Sequence, residues 1–359
     1  MTTGKNRRVP AHELAALTSA CFVACGMTAP DAEYLADTLV DADLAGVHSH
    51  GVMRVPDYVE KLTTGGVDPR GAPTVVREFG ACVVVDGANS MGQIGARFGM
   101  ARAISLAQSH GIAAAAIRGS NHCGAVGYIA RMALAEGMIG VATTNALPTM
   151  APWGGAERIL GINPLAFAIP AGRERPIEYD AAFSRSSHGK IRIHEQQGLP
   201  IPEGWAFDRA GNPTTDASVA VDGLLAPIGM YKGTALAMVM GILSSMLSGA
   251  SYGTELGDME AGPRPGEDGH FVAAINVAAF EDPHVFAERM DRAVAELHAC
   301  RVADGHERVC APGELEALRR EEYDADGIPL NGATLGELAA AARGLGVPNA
   351  DLLSRASAV

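Results

Sequence analysis

The chain has 359 residues, 48% hydrophobic and 19% charged, the balance of a globular protein with room for two domains rather than of a disordered chain. Its formal net charge of -13 excludes nucleic acid or an anionic membrane as the main partner. The six cysteines form no C-x-x-C pair and sit mostly in apolar runs, so they read as reduced, buried thiols of a cytoplasmic protein.

The first ten residues are polar and basic, without the apolar run of a signal peptide. Residues 11–25 carry Leu14, Leu17, Phe22 and Val23 at helical spacing and stop at Gly26. Thr28 reads as the cap of a second helix, with Pro30 near its first turn, running through Tyr34, Leu35, Leu39 and Val40 to Gly46. A turn at 48–54, a short helix at 56–62 and a linker at 69–73 follow. Strand patterns at 81–86, 112–117, 139–144, 165–170 and 176–179 then alternate at first with helical patterns at 95–108 and 124–135. Residues 198–216 are irregular, 232–249 form a long apolar helix, and 272–280 return to strand pattern. Helices at 282–299, 313–320 and 334–344 close the chain. The longest greasy segment, 233–247, is broken by threonine and serines and is too short for a membrane span.

The chemistry is expected in Gly46-Val47-His48-Ser49-His50-Gly51-Val52-Met53-Arg54 and on to Tyr58. Histidine is the usual proton donor or acceptor near neutral pH, and arginine grips a carboxylate with two prongs. His48 and His50 also resemble a metal pair with Asp41 and Asp43 nearby, which leaves a metal-dependent hydrolase as the reading from another class. A dinucleotide fingerprint fails at 85–95, because Gly87 and Gly92 are five apart where G-x-G-x-x-G needs two. The stretch from Gly119 through Asn121, His122 and Gly124 to Tyr128 follows a strand and opens a helix. It reads either as a phosphate cradle with His122 and Tyr128 beside a substrate, or as a helix capped by Asn121. Asp180 ends a strand, where it suits a ribose hydroxyl or a histidine, and Lys232 heads the apolar helix as a lone cation, for a phosphate or for solvent.

In order along the chain stand Ser49-His50-Gly51 with Arg54 and Tyr58, Val85-Asp86-Gly87, Asn121-His122 with Gly124, Gly154-Gly155, and Gly161 with Asn163-Pro164. Asp180 to Ser184 with Gly189-Lys190, Gly204-Trp205-Ala206 with Asp208 and Gly211, Tyr231-Lys232-Gly233, and Pro312-Gly313-Glu314 follow. Together they resemble the type-2 malate/L-lactate dehydrogenases, a family that includes ureidoglycolate dehydrogenase, 2,3-diketogulonate reductase, sulfolactate dehydrogenase and piperideine-2-carboxylate reductase. The resemblance implies a non-Rossmann NAD(P)-binding fold, a homodimer, and hydride transfer to the C2 carbonyl of a small 2-oxo acid. A cyclic imine carboxylate is the alternative substrate on the same fold. It further implies that His50 gives the proton, that Ser49 and Asp180 orient or polarise the site, and that Arg54 clamps the substrate carboxylate. His122 and Gly124 would lie by cofactor or substrate. Asn163, Asp180, Ala181, Ala182, Lys232, Gly313 and Glu314 would lie near the dinucleotide, NAD or NADP. Phe183 departs from the threonine common in the family, and Lys190 follows its malate/lactate-like branch.

The expected architecture is α+β. A cofactor domain over 76–221, with a mixed, largely antiparallel sheet, joins a mainly helical substrate domain made of 1–75 and 222–359. The acidic, glycine- and proline-rich stretch 253–269, with Glu255, Asp258, Glu260, Glu267 and Asp268, is expected to be a mobile loop near the site.

Overall fold

The computed structural model describes residues 7–258, 262–348, 350 and 357–358. Glu260 and the first six residues, both part of the expectations above, lie outside them. Helices α1 (Ala11–Ala24) and α2 (Ala29–Leu44) open the chain. Thr28 caps α2 as expected, its hydroxyl accepting the Asp31 N–H at 3.3 Å. Two 3-10 turns, His48–His50 and Val52–Arg54, lead into α3 (Val55–Thr64). Then come β1 (Thr74–Phe79), β2 (Cys82–Asp86), α4 (Gly92–His110), β3 (Ile112–Ser120), α5 (Val126–Arg131), β4 (Met138–Thr144), β5 (Leu165–Ile169), β6 (Ile177–Ala181) and α6 (His188–Gln197). Helix α7 (Tyr231–Gly241) runs on as a π turn, Ile242–Met246. The rest is β7 (Asp268–Asn276), α8 (Pro283–His298), α9 (Glu314–Asp326) and α10 (Gly332–Gly344).

The seven strands form one mixed sheet in the order β1-β2-β3-β7-β4-β5-β6. Every neighbouring pair is antiparallel except β2 with β3. This is the mixed, largely antiparallel sheet that was expected. One strand is out of its expected place. Residues 268–276 belong to the stretch assigned to the helical part, yet β7 lies between β3 and β4 in the middle of the sheet. Its residues are buried on both faces, as a central strand requires, and nothing local in the sequence says which edges it fills. Helices α4 and α5 cover one face, where Met100 and Ile129 meet Val83, Val85, Ala115 and Ile117.

The two chain ends share a core. Leu14, Leu17 and Phe22 of α1, Leu35 and Leu39 of α2, Tyr58 and Leu62 of α3, and Leu335 and Leu338 of α10 are packed together. The strand Arg7–Val9 pairs antiparallel with Ile328–Leu330. A third cluster joins Met150, Leu160, Phe183 and Ile191 to Leu225, Ala237 and Met240. Among the described residues no helix is long and apolar enough to cross a membrane.

Stretch 253–269 is tied down where it is described. The buried Lys61 ammonium donates to the carbonyl oxygens of Asp258 (2.8 Å) and Arg264, and Gly266 N–H donates to Asn121 Oδ1 at 2.8 Å. The cysteines are all free thiols, but only Cys21 and Cys123 are buried, while Cys82 and Cys300 are exposed. Cys82 starts a strand and Cys300 follows a helix, positions where an apolar neighbourhood in sequence does not bring burial.

Candidate active site

The turn at 48–54 is held from below by one carboxylate. Asp43, 1% exposed, accepts His48 Nδ1–H at 2.7 Å and Val52 N–H at 2.8 Å. These two bonds bracket His50. Gly51 has to be glycine, since a Cβ there would fall on the Asp43 carboxylate. His48 is therefore spent on the fold, and its ring stacks on Tyr323 of α9.

His50 is set the other way. Its Nδ1 lies 3.0 Å from the Ser49 hydroxyl, and its ring faces that of His122, centroids 5.9 Å apart and planes 20° apart. Both imidazoles are half-buried, reached by solvent yet closely surrounded by protein. This enclosure, and then the Arg54 guanidinium nearby, pushes His50 down to about 4. His122 is held well below the usual histidine value, by burial first and then by His50, Arg54 and His270. Arg54 is itself oriented: Nε donates to Ser49 O at 2.9 Å and Nη1 pairs with Asp57 at 2.9 Å. Behind His122, the Tyr58 hydroxyl lies 2.7 Å from Nδ1, and Gln93 Nε2 donates to that hydroxyl oxygen at 3.2 Å. Against the Ser49 side of the turn comes α6. A Cβ on Gly189 would be 2.8 Å from Ser49 Cβ, so only glycine lets the helix approach this closely.

The structure thus brings Ser49, His50, Arg54, Tyr58 and His122 together. It places the other expected residues at varying distance. Asp180, at the end of β6, accepts Gly127 N–H at 2.8 Å; solvent reaches it, yet the protein crowded around its carboxyl desolvates it and, partly offset by that bond, holds it up at about 6. The helix start at 124–128 is therefore no open phosphate cradle: α5 is short, and Asp180 already occupies Gly127 N–H. Gly124 reaches the site through its N–H, 3.4 Å from His122 Nδ1. Ala181 and Ala182 are half-buried beside Asp180, whereas Phe183 turns into the third core, 3% exposed, so its bulk stays out of the site. Gly313 packs against Glu178 of β6, and Pro312 O accepts Glu178 N–H at 3.0 Å. Glu314 opens α9 and binds His298 Nε2 and Ala311 N–H, each at 2.7 Å.

Two expected residues have other partners, and a third stands open to solvent. The Asn163 side chain, 2% exposed, cross-links Ala146 N–H (2.9 Å) to Ala237 O (2.7 Å). Tyr128 donates to Asp37 on α2 and packs edge-on against Tyr34. Lys232 is exposed at the head of α7. The metal-pair reading loses its geometry, because His48 and His50 turn to different partners and, among the described residues, no group of three or more His, Cys, Asp or Glu could hold a metal ion.

A family model described as malate/L-lactate dehydrogenase matches residues 9–339. The chain belongs to that family. The malate dehydrogenase of Pyrococcus horikoshii is 36% identical over 348 residues, covering 95% of this chain and 96% of that protein. Two solved structures superpose over nearly the whole fold. The sulfolactate dehydrogenase of Methanocaldococcus jannaschii gives a TM-score of 0.89 at 32% identity, covering 97% of this chain and 99% of that one. The delta1-piperideine-2-carboxylate reductase of Pseudomonas syringae gives 0.82 at 31%, covering 92% and 98%. Curated relatives named for NAD(+) and for NADP(+) both occur among the similar proteins.

As a malate/L-lactate dehydrogenase-family oxidoreductase, the chain uses two site residues in roles its sequence did not reveal. Asp43, expected only as an acid near a metal pair, had a signal for its anchoring role: it falls on the same face of α2 as Leu35 and Leu39, and an acid on an apolar stripe needs a partner. Gln93 had none, since one amide in a glycine-rich helix start is ordinary.

Proposed function

We propose that the protein is an NAD(P)H-dependent dehydrogenase that reversibly reduces the C2 carbonyl of a small 2-oxo acid. The meeting of His50, His122 and Arg54, with the two rings stacked and the guanidinium beside both, carries this reading. Arg54 binds the carboxylate, and the carbonyl oxygen then lies by the imidazoles. A neutral His50 is ready to take the alcohol proton in the oxidation direction. In reduction, a substrate carboxylate on Arg54 offsets the smaller of the two effects that depress His50, enclosure being the larger, and so raises the ring's hold on the proton it must give.

We infer that a nicotinamide cofactor binds beside the imidazoles, along Gly124, whose N–H lies 3.4 Å from His122 Nδ1, and the small Ala181 and Ala182 next to Asp180, and on toward Glu314 and Gly313, which packs on Glu178 of β6. These residues, with His122 and Lys232, are the ones that would hold NAD or NADP. When bound and reduced it supplies the hydride to C2. Asn163 supports the neighbouring loop instead. Asp180 acts through Gly127 to hold the 121–128 loop in place.

The similarity to the piperideine-carboxylate reductase structure favours a cyclic imine carboxylate as the second reading, in which the same clamp holds the acid and the proton goes to nitrogen. The deciding experiment is a panel of 2-oxo acids and cyclic imine carboxylates, each with NADH and NADPH, followed by loss of reduced-nicotinamide absorbance. Turnover of neither class overturns both readings.

The active form is a homodimer in a reducing cytoplasm. Helix α7 and its π turn expose Leu236, Met238, Val239, Ile242, Met246 and Leu247, an apolar face that a second copy of the chain covers. Leu236→Glu with Val239→Glu is expected to give a monomer by sedimentation; a wild-type sedimentation coefficient moves the interface elsewhere.

A further inference from the structure

We propose that His122 works as a neutral hydrogen-bond donor to the substrate carbonyl, and that Tyr58 is the positioning residue that fixes its tautomer, leaving the proton exchange to His50. This rests on the dehydrogenase reading and divides the labour between its two imidazoles. The deciding group is a backbone amide. Gly124 N–H approaches His122 Nδ1 at 3.4 Å, and an amide N–H only donates, so Nδ1 presents a lone pair. The Tyr58 hydroxyl, 2.7 Å from that nitrogen, then donates to it as well, and its own oxygen accepts Gln93 Nε2–H at 3.2 Å. Gln93, Tyr58 and His122 form a chain with every donor pointing the same way, and the proton of the neutral ring is left on Nε2. The reverse chain, with the Gln93 amide turned and Nδ1 protonated, would set Nδ1–H against Gly124 N–H.

The surroundings hold this state. Tyr58 is 1% exposed and Gln93 is fully buried, so water does not compete for these bonds. Burial first, and then the Arg54 guanidinium, oppose a positive charge on the ring, and His50 and His270 add to that opposition when they are protonated. The Tyr58 phenol is pushed up by burial and keeps its proton. If His122 gave up Nε2–H, Nδ1 would have to take the Tyr58 proton and leave a phenolate in the core, which the same burial opposes.

The chemistry balances without a proton leaving His122. A bound reduced nicotinamide would supply the hydride to C2; as the carbonyl π pair moves onto oxygen, His50 would supply the proton to that oxygen. Throughout, Nε2–H of His122 stays bonded to nitrogen and its hydrogen bond strengthens as charge builds on the oxygen.

The test is a nitrogen-15 spectrum of histidine-labelled protein without cofactor, together with Tyr58→Phe. Expected are a pyridine-like Nδ1 and a pyrrole-like Nε2 for His122 across neutral pH. In Tyr58→Phe, both nitrogens should move toward a tautomer average, and kcat should fall about 10-fold with the KM of the acid unchanged, since a donor is misaligned rather than lost. An imidazolium or a protonated Nδ1 in the wild type overturns the proposal, as does a Tyr58→Phe protein with wild-type kcat and wild-type His122 signals. If no 2-oxo acid or imine is reduced by the wild type, the dehydrogenase reading and the polarising role fall together, while the spectrum still reports the tautomer.

Discussion

Replacing His50 with alanine is expected to lower kcat for reduction by about 10²-fold or more, the usual size of general acid catalysis. The substitution leaves the turn standing. Asp43 ties His48 and Val52 on either side of position 50, and neither bond involves the His50 ring. Arg54 keeps its bonds to Ser49 O and Asp57, so the KM for the acid should move little. The loss therefore belongs in kcat, which steady-state kinetics separate from KM, and binding of reduced nicotinamide, followed by fluorescence, should stay near wild type. Reduction at near wild-type rates by this variant would remove His50 from the chemistry.

The second large effect is expected from Arg54→Lys. The guanidinium serves the turn through Nε and meets Asp57 through Nη1, at 2.9 Å each, and in the proposed role it also has to grip the substrate. An ammonium is a point charge and cannot hold all three in fixed directions. Loss of a charge-assisted bond is worth about 1.5–3 kcal/mol, so KM for the acid should rise roughly 10- to 100-fold. The positive charge remains, so His50 stays depressed and the pH dependence of kcat should keep its shape. Arg54→Gln is the contrast: without the cation, His50 should rise from about 4 toward the ordinary histidine value, although its enclosure still holds it below. In the oxidation direction, where His50 must be neutral, the acid limb of the pH profile should then move to higher pH. An unchanged KM in Arg54→Lys would end the clamp role.

Much of the local structure was legible because period and punctuation carry it. Thr28 and Pro30 mark the start of α2, and Leu14, Leu17 and Phe22 mark the buried side of α1. Strand β1 was missed because it is an edge strand whose residues are mostly exposed, so no alternation shows. Helix α6 was missed because, of its side chains, only Ile191 reaches the core, and its Gly189 serves the approach to Ser49 rather than the helix. The half-buried and buried fates of Tyr128 and Asn163 were equally out of reach. Tyr128 finds Asp37 on another helix, and Asn163 spans Ala146 and Ala237 from a left-handed backbone turn at φ 35°.

The amino-acid sequence by itself determined the elements with strong period, the failure of the dinucleotide fingerprint, and the pairing of an imidazole with a guanidinium four positions on. Those follow from side-chain spacing along one short segment. Only the tertiary structure decided that β7 sits between β3 and β4, that His122 faces His50, that Asp43 anchors the turn, and that Tyr58 and Gln93 stand behind His122. Each of these is a contact between segments far apart in the chain. Burial in the assembled fold sets both the hydrogen-bond directions and the charge states there, and no local pattern encodes which distant partner a polar group will meet.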